Sequence, residues 1–71
     1  MKLTAIIERE GNGYVSFCPE LDIASQGDSV EDARDNLREA LELFFECASA
    51  DELRLRLKSE LFITQVEVAV G

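Results

Sequence analysis

The stretch from Ser29 to Ala48 constrains this chain most. Val30, Ala33, Leu37, Ala40, Leu41, Phe44 and Ala48 recur at helical spacing and form one apolar stripe,. Ser29 is a good N-cap, and Asp32 three residues on makes a variant of the capping box. Asp28, Glu31 and Asp32 complement the positive end of the helix dipole. The spacing predicts a helix over Val30–Cys47, about 27 Å long. A helix with one apolar face must cover something, and the flanking sequence supplies strands.

Lys2–Arg9 alternates with a period of two and reads as a strand. Glu10-Gly11-Asn12-Gly13 suits a hairpin turn with positive φ. Tyr14–Cys18 is the returning strand, ended by Pro19, which cannot donate to a ladder. Glu20-Leu21-Asp22 is a turn, and Ile23–Gln26 is a short third strand broken by Gly27. After the long helix, Ser49 caps a second start with Glu52 three residues later. Leu53 and Leu57 share one face of a short helix through about Lys58, and Leu55 points elsewhere. Leu61–Val70 alternates again and reads as the last strand, pairing parallel with the first through a right-handed crossover. The order β-β-β-α-(α)-β gives an α+β two-layer domain over residues 1–71, one long helix on a four-stranded mixed sheet.

Only one sheet face is covered by this helix. Ile6, Ile63 and Phe17 or Tyr14 are expected to form an uncovered apolar patch for self-association. A chain of 71 residues buries only about 60% of its unfolded surface, so a partner would help it,.

Charge separates the remaining possibilities. Fifteen acids against seven bases give a formal net charge of −8. That argues against nucleic acid as a direct ligand and permits a basic partner. On the predicted helix Glu31, Asp35, Glu39, Glu42 and Glu46 form a continuous solvent-side ridge, flanked by Arg34 and Arg38. Like charges at i,i+4 cost roughly 0.2–0.5 kcal/mol per pair, so helix stability alone does not call for the row. It is either a docking face for a basic partner or a solvated face of an acidic protein.

No catalytic constellation is legible. The chain has no histidine, so Ser16, Ser25, Ser29, Ser49 and Ser59 lack the usual base,. Glu8, Asp22 and Asp28 stand at strand ends and hold Mg²⁺ only if the fold converges them; solvated turn carboxylates are the simpler account. Cys18 and Cys47 form no metal knuckle or C-x-x-C motif and are read as two buried free thiols in preference to one disulfide. No cofactor is expected. No apolar run approaches the roughly 20 residues of a membrane span, and no signal segment opens the chain. A cytoplasmic protein is expected.

An ordered set of motifs goes further. Gly13-Tyr14-Val15 enters a strand. Cys18-Pro19-Glu20-Leu21, Gly27-Asp28-Ser29-Val30-Glu31-Asp32-Ala33 and Asn36-Leu37-Arg38-Glu39-Ala40-Leu41 follow. Together they resemble the HicB-like antitoxin domain, strongly over about half the chain. The resemblance implies a truncated RNase H-like fold, β-β-β-α-β. It also implies a non-catalytic, self-associating domain that binds and blocks a small basic mRNA-cleaving toxin of the HicA-like kind. The candidate partner-binding residues are Glu20 and Asp22 in the turn, with Glu31, Asp35, Glu39, Glu42 and Glu46 on the helix. Many members of that family carry a C-terminal DNA-binding domain. None follows Val70 here, so operon autoregulation is not expected of this chain. The alternative is an orphan homo-oligomeric module with no toxin partner.

Overall fold

A computed structural model describes residues 1–58 and 60–71; Ser59, weighed above among the serines, lies outside the described residues. The elements run β1 (Ile6–Glu10), β2 (Gly13–Cys18), β3 (Ile23–Gly27), α1 (Val30–Cys47) and α2 (Ala50–Arg56). The fold is α+β. Its sheet is antiparallel, in the order β1-β2-β3.

The hairpin between β1 and β2 turns on Gly11 and Asn12, closed by the Glu10–Gly13 pair. Only Gly11 needs positive φ, at 60°, which glycine adopts without steric cost,. β1 begins at Ile6 rather than Lys2. The main-chain N–H of Thr4, which would have joined the ladder, is taken instead by the Glu20 carboxylate at 3.0 and 3.1 Å.

Both helix starts follow the capping signals. The Ser29 hydroxyl accepts from the Asp32 N–H at 3.0 Å, and the Ser49 hydroxyl accepts from Glu52 at 3.1 Å. α1 turns Ala33 and Leu37 fully inward. Leu37 joins Cys18 and Leu21 at the centre of the core, and Leu3, Ile23, Leu41, Phe44, Phe45 and Leu57 pack around them. Two hydrogen bonds, one buried and one exposed, pin the helix to the sheet. The Ser16 hydroxyl donates to the Ala33 carbonyl at 2.8 Å, and the Asn36 amide donates to the Gln26 carbonyl at 2.7 Å.

The expected fourth strand is not formed, so the sheet has three strands and no parallel pair. Residues 61–71 are exposed and belong to no element. Alternation and β-branched residues make a segment able to pair, but a strand exists only with a neighbour to complete its ladder. Among the described residues none pairs with 61–70.

Candidate functional site: the outer face of the long helix

α1 displays its acidic ridge to solvent as its spacing requires. Glu31, Glu39, Glu42 and Glu46 are exposed and Asp35 is half-buried. Asp35 is the one ridge residue that is neutralised locally, with Arg34 at 3.5 Å and Arg38 at 3.4 Å. Among the described residues the other four have no ion-pair partner. Uncompensated negative charge thus stands at both ends of the helix, with Glu31 in the first turn and Glu39, Glu42 and Glu46 together in the second half.

Between these carboxylates lies an apolar residue the sequence reading passed over. Leu43 is 59% exposed, and with Ala40 it floors a shallow groove rimmed by Glu39, Glu42 and Glu46. Leu43 belongs to neither the buried stripe nor the row of acids, so periodicity gives it no role. A large apolar side chain framed by unpaired charge is the usual make-up of a protein contact, with an apolar centre and a polar rim.

The turn acids are used differently. Both carboxylate oxygens of Glu20 are occupied from within the chain, by the Thr4 N–H, the Thr4 hydroxyl at 2.6 Å and the Cys18 thiol at 3.3 Å. Burial on its own would raise the Glu20 carboxyl. The Thr4 hydroxyl, with the amides of Glu20 and Thr4, outweighs it and holds the carboxyl below its ordinary value,. Asp22 has a left-handed backbone with φ 56°, a conformation aspartate tolerates, and pairs with Lys58 at 2.9 Å,. Lys58 also donates to the Pro19 carbonyl, and Arg56 donates to the Leu21 carbonyl at 2.8 Å while lying 5.2 Å from the Phe44 ring. The turn at 19–22 is therefore clamped by the end of α2. Sequence reasoning gave no hint of this, because the clamp joins residues more than thirty positions apart.

On the other side of the sheet, strand register places Ile6 opposite Phe17, and Phe17 opposite Ala24. All three are exposed and form one apolar row on the face away from α1. Tyr14 is not part of it. It shares the helix-facing side with Ser16, and the Arg9 guanidinium lies 5.7 Å from its ring,. Ile63 lies outside the sheet, in the exposed segment.

The two cysteines are free, Cys18 buried and Cys47 exposed. The expectation of two buried thiols thus fails at Cys47, which ends α1 beyond its packed stripe. Desolvation, with Glu20 as hydrogen-bond acceptor, pushes the Cys18 thiol up, away from the reactive thiolate,. Among the described residues no three acidic or cysteine side chains converge to hold a metal ion. No helix there is long and apolar enough to cross a membrane.

The chain is 41% identical over 70 residues to a UPF0150 protein of Helicobacter pylori (strain J99), an alignment spanning 97% of each chain. The chain belongs to the UPF0150 family. It is also 36% identical over 69 residues to a UPF0150 protein of Synechocystis, covering 94% of this chain and 86% of that one. A further UPF0150 protein of Synechocystis is 45% identical over 47 residues, 63% of this chain and 65% of its own. No family model and no solved structure matches. The longest of these UPF0150 alignments runs nearly end to end, so the ridge and the segment after α2 both fall within it.

Proposed function

We propose that this UPF0150 member is a non-catalytic protein-interaction domain of the HicB-like kind. In this reading it is an antitoxin-like inhibitor that occupies a small basic mRNA-cleaving toxin in the cytoplasm. The observation that carries the reading is the outer face of α1, where Glu39, Glu42 and Glu46 surround the exposed Leu43 and have no ion-pair partner among the described residues. Such a face attracts a basic surface at long range and holds it by burying Leu43 at short range. The ordered motif set from Gly13 to Leu41 supports the family part of the reading. That resemblance also implies a truncated RNase H-like sheet of four strands; the sheet of the described residues has three.

The test is a binding titration against a purified small basic toxin of the HicA-like kind, for Glu39→Lys/Glu42→Lys and for Leu43→Ser. The charge pair is expected to weaken association at least tenfold and to flatten its salt dependence; Leu43→Ser weakens it with the salt slope retained. Unchanged affinity in both variants would remove α1 as the docking face.

A second reading, an orphan homo-oligomeric module, is favoured by a different observation. The Ile6–Phe17–Ala24 row is an apolar strip on the sheet face that α1 leaves bare. A lone chain in sedimentation equilibrium, with no basic neighbour in its gene surroundings, would favour this reading if it self-associates.

A further inference from the structure

Two features of the fold are unused by either reading, and they fit each other. The first is the open side of β1. This strand pairs with β2 alone, so among the described residues the main-chain groups on its other side have no ladder partner,. α1 lies over β3 and β2 and barely reaches β1. A largely apolar groove therefore runs beside that edge and beneath the helix, lined by Leu3, Leu37, Leu41 and Phe45 and also by the charged Arg38 and Glu42.

The second is the segment 61–70. Phe62, Val66, Val68 and Val70 alternate along one side of it and are between 72% and 90% exposed. Leu61, Ile63 and Ala69 lie on the other. Ten residues in strand conformation span about 33 Å. The segment stands off the body: the radius of gyration is 14.4 Å, where a compact chain of this length has about 11 Å,. Its departure point is fixed. The Lys58 N–H is bonded to the Glu20 carbonyl at 3.2 Å, and its ammonium to Pro19 and Asp22. From there the chain leaves its own groove empty.

We infer that residues 61–70 of a second copy add as a strand to the free edge of β1, reciprocally, forming a two-fold dimer. Main-chain hydrogen bonds supply the ladder, and alternate side chains supply the fit. Phe62, Val66 and Val68 enter the groove against Leu37, Leu41 and Phe45. The other side of the segment then brings Ile63 alongside Ile6 and Phe17, uniting residues that a single copy keeps apart. Each copy contributes its ten-residue segment and about as many residues around the edge and groove. That is roughly 20 a side, the size of a standard stable interface. The inference stands with or without a toxin partner. It sharpens the self-association reading by moving the contact from the sheet's bare face to its edge.

The experiment uses full-length protein. Sedimentation equilibrium gives the oligomeric state, and a mixture of two differently isotope-labelled populations gives the contacts made between copies. The expected result is a dimer with cross-copy contacts between β1 and residues 61–70. Val66→Pro removes a ladder donor within the exposed segment, and is expected to weaken dimerisation at least tenfold while the helical circular dichroism is unchanged. A monomer, or contacts between 61–70 and β1 arising within one copy, overturns the inference. So does a dimer insensitive to Val66→Pro with cross-copy contacts confined to Ile6 and Phe17, an outcome that leaves self-association itself standing. If Val66→Pro loses helix, the cross-copy contacts of the unmodified chain decide.

Discussion

Glu20 shows how one side chain can fix a segment that has no secondary structure. Its carboxylate gathers the Thr4 amide, the Thr4 hydroxyl and the Cys18 thiol, and so ties the N-terminal residues to the turn after β2. Hydrogen bonds to an ionised acceptor are stronger than neutral ones, and losing the charge weakens all of them together. Glu20→Gln is expected to cost about 1 kcal/mol at neutral pH, the low end for a charged acceptor because solvent screens this site. The pH dependence has a definite sign. The folded carboxyl titrates below its ordinary value of 4.5, so its contribution is complete above that pH and is lost as pH falls through the lowered folded value,. Urea unfolding between pH 6 and pH 3 is therefore expected to show a larger drop in stability for the unmodified chain than for Glu20→Gln. Equal drops would place the acid sensitivity elsewhere.

At the scale of elements, the junction of β3 with α1 leaves no room for a side chain at Gly27. A Cβ at Gly27 would meet the backbone of the first helical turn, overlapping Ala33 N and lying 2.6 Å from the Asp32 carbonyl carbon. Neither neighbour is the end of a flexible side chain, so the helix itself must shift. Gly27→Ala is expected to destabilise by about 1–3 kcal/mol, the usual cost of overpacking, read as a lower urea midpoint with unchanged slope. The elements themselves were legible in the sequence because their signals are local. Ser29 and Ser49 mark two helix starts, Gly11 marks the hairpin, and Leu55 was separated correctly from Leu53 and Leu57. What depends on distant partners was not legible. The strand reading of Leu61–Val70 rested on a pattern that is real, while pairing needs an edge that the chain's own path does not bring to it. The clamp on the turn at 19–22 was not legible because nothing near it in sequence announces Lys58 and Arg56. Leu43 was missed at the candidate site because its meaning lies in its surroundings and not in its period.

For the whole molecule the dominant fact is uncompensated charge. With a net charge of −8 and, among the described residues, four unpaired carboxylates along one helix face, the folded chain repels itself,. Screening should relieve this, since the Debye length falls from about 30 Å at 0.01 M salt to about 8 Å at 0.15 M. The expected outcome is a gain of roughly 0.2–0.5 kcal/mol in stability over that range, from partial relief of the Glu39–Glu42 and Glu42–Glu46 repulsions. Thermal unfolding followed at the two salt concentrations checks it. A midpoint that falls with salt would mean that the four ion pairs among the described residues outweigh the repulsion.

The exposed segment has one more consequence. From Phe62 to Val70 the chain offers nine residues rich in β-formers, with no proline or glycine and a single charge at Glu67. That is the composition from which cross-β fibrils grow. Specific pairing between two copies and indefinite stacking among many draw on the same main-chain groups. Glu67 is the gatekeeper within the run, and Glu8, Arg9 and Glu10 guard the receiving edge. The sequence thus carries its own brake on aggregation at the place where it most invites assembly.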